Sequence, residues 1–211
     1  MSPNLSQVAL HQNQVLYAPG DVIEHVYFPN DAVSSLLFNV DEQRTVEVAM
    51  EGNEGVAGLA IFLGGANSRN QSIVRDAGTA MQLDVKTLQT FSDHCDNFKE
   101  LLRRYIHALL TQVAQSGVCN RFHNIDARLA RWLLMTHDRL DSKELHATQE
   151  SIAQMLGVRR SSITAAASGF HKRHIIDYHR GRIRILDQAR LRAASCACYE
   201  MMRHQYDSFL T

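Results

Sequence analysis

"QESIAQMLGVRRSSITAAA", residues 149–167, decides how the second half of this chain folds. Ile152, Leu156 and Ile163 recur at helical spacing, and a small residue, Ala153, stands where two crossing helices would approach most closely. Gly157 permits positive φ in a tight turn, and Val158 and Ile163 pin the following helix against a third. Thr148 precedes the first helix as a capping residue, with Ser151 three positions on. The pattern predicts a helix-turn-helix whose second helix carries Arg159, Arg160, Ser161, Ser162 and Thr164 near its N-terminus.

The surroundings agree with that reading. The 22 basic and 22 acidic residues cancel, yet residues 1–120 carry net −6 and residues 121–211 net +6. Between Arg159 and Arg192 there are 9 bases against 2 acids, the footprint of a surface that meets a polyanion. Upstream, "ARLARWLLMTHDRL" (127–140) places Leu129, Trp132, Leu133 and Thr136 on one helical face, with Asp126 as the expected N-cap. Downstream, "IIDYHRGRIRILD" (175–187) reads as two short strands about a glycine-centred turn, lined by Arg180, Arg182 and Arg184. Such a hairpin is a wing. On double-stranded DNA, Arg160 is the candidate for bidentate reading of a guanine edge, while Arg159, Ser161 and Ser162 are placed for phosphates. Thr148, Gln149, Thr164, Arg180 and Arg182 complete the candidate set.

The first half has a different period. "TVEVAM" puts Val46, Val48 and Met50 on one face, and "AMQLDV" does the same for Met81, Leu83 and Val85. Turns at Pro19-Gly20-Asp21, Pro29-Asn30-Asp31, Gly52-Asn53 and Gly64-Gly65 separate short strands, which predicts a small antiparallel sandwich or barrel. From about Asp93 to Arg121 the period becomes helical, with Leu102, Ile106, Leu109, Val113 and Ser116 at spacings of four and three. That helix, roughly 40 Å long at 1.5 Å per residue, is expected to pair with its own copy through this stripe. Phe98, Leu101 and Tyr105 form a neighbouring stripe for the β domain. The expected division is 1–92, 93–121 and 122–211.

Several function classes are disfavoured. No apolar run reaches the length of a membrane span and "MSPNLSQVALHQNQ" has no signal-peptide pattern, so the expectation is a cytoplasmic protein that meets no membrane. The four cysteines, Cys95, Cys119, Cys196 and Cys198, make no disulfide framework. The "CAC" pair at 196–198 resembles half of a metal site, but neither a second CxxC nor an HxxxH accompanies it; it reads as two small residues on a C-terminal helix, and no metal or cofactor is expected. Motifs for nucleophilic hydrolysis, phosphate-transfer loops and zinc proteases are absent, which argues against an enzyme.

The β domain, the long pairing helix and the winged helix-turn-helix together resemble the Crp/Fnr family of bacterial transcription regulators. "LYAPGDVIEHVYFP" (16–29) looks like the first strands of that family's cyclic-nucleotide-binding β-roll. The resemblance implies an α+β chain: an N-terminal antiparallel β-roll (a double-stranded, jelly-roll-like β-helix), a long dimerisation helix and a C-terminal winged helix-turn-helix. It further implies a homodimer on an inverted-repeat operator, with RNA polymerase as a further partner.

The family's ligand cassette aligns with "NEGVAGLAIFLGGANSRNQSIVR" (53–75), where cyclic-AMP-binding members carry Gly-Glu-x-Gly and then Arg-Ser-Ala. Here Gly55-Val56-Ala57-Gly58 has Val in place of the glutamate, Asn70 replaces the arginine, and the adenine-contacting Thr-Ser pair becomes Val113-Ala114. Three lost polar anchors, at about 1.5–3 kcal/mol for a charge-assisted one, are expected to abolish useful cyclic-AMP affinity. The effector, if one exists, is unknown, and its candidate pocket is Gly55 to Gly58 with Arg69, Asn70, Gln71, Ser72 and Arg75. The iron-sulfur members' N-terminal cysteines are missing, and a haem would have to draw on His11, His25, His94 or Cys95. The rival reading is a cyclic-nucleotide-type sensor or adaptor whose helix-turn-helix docks a protein.

Overall fold

The computed structural model describes residues 5–41, 44–65, 67–140 and 144–210. Its first part is a β-roll of two facing antiparallel sheets. One has the order β1 (Leu5–Leu10), β7 (Gly78–Asp84), β3 (His25–Pro29); the other has the order β2 (Val15–Tyr17), β6 (Gln71–Asp76), β4 (Val33–Asn39), β5 (Thr45–Glu51). The expected strands are there, Thr45–Glu51 and Gly78–Asp84 as whole elements, but the period-two faces are not kept: a register shift in the β4–β5 pairing sends Met50 and Val48 to different cores, and Val85 opens a helix instead of continuing the strand face of Met81 and Leu83. Leu10, Ala32, Val74 and Ala80 close one end of the roll, while Val26, Leu36, Ala49, Val56 and Leu83 fill the other. A 3₁₀ turn at Leu59–Leu63 begins at Gly58, whose φ of 97° suits a residue without Cβ.

Helix α1 (Val85–His94) leaves β7 directly, capped by Asp84, whose carboxylate accepts from Thr87 N at 2.9 Å. Cys95 breaks the chain's helical course, so the long helix α2 runs Asp96–Phe122 rather than from Asp93. Its 27 residues give about 40 Å. The stripe expected to pair two copies is spent inside one chain. Leu102 and Leu109 join Tyr105 and Tyr206 in the core under the roll, Ser116 is buried, and Ile106 and Val113 pack against the same core. The α2 face left exposed carries Leu110, Ala114, Gly117, Val118 and Phe122 instead. The register shift has a physical reason: α7 (Cys198–Leu210) returns along α2 and covers a face that the helical period alone leaves open. Of the neighbouring stripe, Tyr105 enters the core as expected and Leu101 stays exposed.

Beyond α2 come α3 (Ile125–His137), β8 (Glu144–His146), α4 (Gln149–Leu156), α5 (Arg160–Lys172), β9 (Ile176–His179), β10 (Arg182–Ile185), α6 (Gln188–Ala194) and α7. Asn124, not Asp126, caps α3, accepting from Ala127 N at 2.9 Å; Asp126 sits in the first turn. Trp132, Leu133, Ile152, Ile163, Phe170 and Ile183 make one core for this part. Met50 of β5 belongs to that same core, so the roll and the C-terminal part share apolar interior. Polar bonds reinforce the seam: Trp132 Nε1 donates to Glu47 Oε1 at 2.9 Å, and Arg139 Nε pairs with Glu54 Oε1 at 2.7 Å with both side chains buried. No helix among the described residues is long and apolar enough to cross a membrane.

Candidate nucleic-acid interface and the effector cassette

The helix-turn-helix forms as its residue types require. Thr148 caps α4 by accepting from Ser151 N at 3.1 Å. Ala153 is buried at the crossing, and Gly157 ends α4 at φ 62° and ψ 40°, a left-handed conformation in which Cβ is strained. Arg159 precedes α5, and Arg160, Ser161 and Thr164 lie exposed on its first turns with Ser162 half-buried beside them. Thr164 Oγ1 donates to Gln149 Oε1 at 2.6 Å, which ties the start of α4 to α5. Arg160 Nε stands 3.9 Å from Glu150 Oε2, both well exposed, a contact that a phosphate or base edge readily displaces.

The wing is a three-stranded sheet in the order β8-β10-β9, one strand more than the sequence pattern shows. Glu144–His146 is too short to carry a period of its own, which is why the pattern misses it. Arg180 and Gly181 form the turn with φ of 48° and 79°, the positive pair of a tight primed hairpin. Gly181 O accepts from Ala147 N at 2.8 Å, so the wing tip sits against the cap of α4. Arg180, Arg182 and Arg184 are exposed; Arg182 reaches Glu144 at 3.6 Å and Arg184 reaches Asp177 at 3.8 Å. The structure thus brings Thr148, Gln149, Arg159, Arg160, Ser161, Ser162, Thr164, Arg180 and Arg182 to neighbouring segments of one domain. Solvated basic side chains around a helix N-terminus are suited to phosphates and base edges.

The cassette is arranged otherwise than a ligand cradle. A Cβ on Gly55 would lie 2.2 Å from Tyr105 Oη, so the Tyr105 side chain fills the space beside Gly55. Val56 and Ala57 are buried among the roll's own side chains. Ser72, inside the roll, donates to Glu51 Oε2 at 3.3 Å, and Ser34 donates to the same oxygen at 2.9 Å. Burial raises the Glu51 carboxyl to about 7, against these two donors. Asn70 bonds back to Ser68, Gln71 is half-buried and Arg69 is exposed. Arg75 alternates with Val74 and lies near Glu47 and Asp76, toward α3 and away from the roll interior. The candidate effector residues therefore separate into a filled interior, a partly exposed stretch at Arg69 to Gln71 and an outer seam at Arg75. Glu51 and Tyr17, central to that interior, give no signal in the sequence because a glutamate and a tyrosine in a strand carry no distinguishing period.

Residues 127–194 match the family described as the Crp-like helix-turn-helix domain. No curated relative matches the chain in sequence. Among solved structures, FixK2 from Bradyrhizobium japonicum superposes with a TM-score of 0.78 at 16% identity, over 92% of this chain and 98% of that one. A CRP-family transcriptional regulator from Thermus thermophilus gives 0.72 at 17% identity, over 90% and 96%. A second regulator from that organism, of the CRP/FNR family, gives 0.69 at 16%, over 90% and 98%. Residues 127–194 are similar to Crp-like helix-turn-helix domains, and over about nine-tenths of its length the chain has the fold of these solved Crp/Fnr-type structures.

Proposed function

We propose that the chain is a sequence-specific DNA-binding transcription regulator that acts as a homodimer on an inverted-repeat operator, with an effector other than cyclic AMP. The observation that carries this reading is the α5 N-terminus, where Arg159, Arg160, Ser161 and Thr164 are exposed together beside an arginine-bearing wing. The recognition helix of such a motif enters the major groove by its N-terminal residues, and a two-fold dimer places two of them about one helical turn apart. The exposed α2 face supports pairing through Leu110, Ala114, Gly117 and Val118, with open space beside Gly117 for close approach of a second helix. RNA polymerase is the further partner that an activator would touch.

Selection of pooled genomic fragments by gel shift tests this reading. Enrichment of a palindromic site, bound by a complex of two chains, is the expected result. Uniform retention of all fragments, or of none, would leave the protein-docking adaptor as the better reading.

A further inference from the structure

We propose that Cys119, His123, Cys196 and Cys198 bind one zinc-class divalent ion with three thiolates and an imidazole. Their ligand atoms all lie within 4.8 Å of one another, and the three cysteines are buried together. Cys119 lies in the last turn of α2 and His123 is the extended residue that ends it, its N–H donating to Cys119 O at 3.1 Å, so both stand at one end of the helix. Cys196-Ala197-Cys198 is the bend between α6 and α7, with Tyr199 N donating to Cys196 O at 3.0 Å. Folding thus joins two half-sites that lie 73 residues apart in the chain, from His123 to Cys196.

The spacings suit a single tetrahedral ion. Bonds of about 2.3 Å to sulfur and about 2.0 Å to nitrogen give a tetrahedron with edges of roughly 3.5–3.8 Å. Cys119 Sγ lies 3.5 Å from Cys196 Sγ, and Cys198 Sγ lies 3.5 Å from His123 Nδ1. A polynuclear iron-sulfur cluster, with its own bridging sulfides, would need its ligands spread further apart. Soft thiolates with one imidazole favour zinc over magnesium or calcium.

The surroundings are those of a built site. Gln115, one turn before Cys119 on α2, donates Nε2 to Cys198 Sγ at 3.0 Å and orients it. Three thiolates on a divalent ion leave one negative charge, and binding releases three thiol protons to solvent. Two buried guanidinium groups stand ready for that charge: Arg131 acts on Cys119, and Arg128 on Cys119 and Cys196. The Nε atoms of both have no hydrogen-bond partner among the described residues. An ion here would fasten the end of the long helix to the last two helices, beside the start of α3.

Full-length protein purified with reductant and without chelator tests this by metal analysis and by cobalt substitution. The expected result is about one zinc per chain, replaced by Co²⁺ with thiolate-to-cobalt charge-transfer absorption and the intense visible bands of a tetrahedral centre. Removal of zinc by a chelator is expected to lower Tm, and Zn²⁺ to restore it. Cys198→Ser should lose the cobalt spectrum; His123→Cys should keep a tetrahedral centre with shifted bands, and Cys95→Ser should leave it unchanged. A metal-free chain whose cobalt spectrum is weak and octahedral overturns the proposal, as does a Cys119–Cys196 disulfide in place of the ion. The wild-type stoichiometry decides the matter even where a variant fails to fold.

Discussion

Trp132 of α3 donates its indole N–H to Glu47 of β5 across the seam between roll and reading domain, at 2.9 Å. Ser35 also donates to Glu47, and burial holds that carboxyl above the usual glutamate range. Trp132 is the chain's single tryptophan, so its emission reports this seam alone. Trp132→Phe leaves a buried acceptor short of one donor, and chemical denaturation should show a loss of about 1–3 kcal/mol. A loss near zero would mean that the seam is held by its apolar part, Met50 above all.

Glu51 gives the molecule a pH dependence of definite sign. Its folded carboxyl titrates near 7, above its unfolded value, so it favours the folded state below the ordinary glutamate range and loses that contribution as pH rises to about 7. Tyr17 and Tyr105 beside it, both held above the ordinary tyrosine range, stay protonated throughout. The difference between the two limits is about 3 kcal/mol. Glu51→Gln keeps an acceptor for Ser34 and Ser72 and should raise Tm at pH 8 while flattening the Tm–pH curve between 5 and 8 (on the order of that range). An unchanged curve would assign the pH dependence to Glu47 or Asp76.

Tyr105 and Gly55 occupy one space. Gly55→Ala forces a methyl group against the Tyr105 ring and should cost about 1–3 kcal/mol. Tyr105→Leu should relieve part of that cost, which a double-mutant cycle measures. Calorimetric titration of the wild-type protein with cyclic AMP or cyclic GMP should show no saturable binding; micromolar binding would mean that Tyr105 moves aside.

Arg160 and Arg182 should differ in kind. Arg160→Ala is expected to cost about 1–3 kcal/mol at the preferred operator and to relax one position of it. Arg182→Ala should weaken binding at all sequences alike and reduce the salt slope by about 1. Equal effects of the two would refute the division between reading and anchoring.

The two faces of α2 are separable by mutation. Leu110→Glu, on the exposed face, should shift the protein from dimer to monomer in light scattering with little change in secondary structure. Leu102→Ala, in the core, should cost about 2–5 kcal/mol and leave the oligomeric state as it was.

The helix-turn-helix is legible in the sequence because each of its positions has a local steric demand: a cap at Thr148, a small residue at Ala153, a positive φ at Gly157. That Thr45–Glu51 is a strand is legible from alternation, but the irregularity that sends Met50 and Val48 to different cores is not. The exposed face of α2 is not, because the helical period says which residues share a side, while only the return of α7 says which side is covered. The Cys119, His123, Cys196 and Cys198 cluster is invisible for a related reason: each half-site is incomplete, and their meeting is a property of the fold. The replacement of the ribose and phosphate anchors by Val56 and Asn70 is legible residue by residue, but the packing of Tyr105, from a distant helix, against Gly55 is not.

Met50 sits on a strand of the roll yet contributes its side chain to the interior of the reading domain. The two parts are therefore expected to melt as one cooperative transition, which calorimetry checks. Exchange of the reading domain between proteins of this fold would succeed only if the outward side of β5, with Met50 and Glu47, travelled with it. Heredity by recombination is thus constrained here at a strand, about a hundred residues before the helix-turn-helix (roughly one domain's length away).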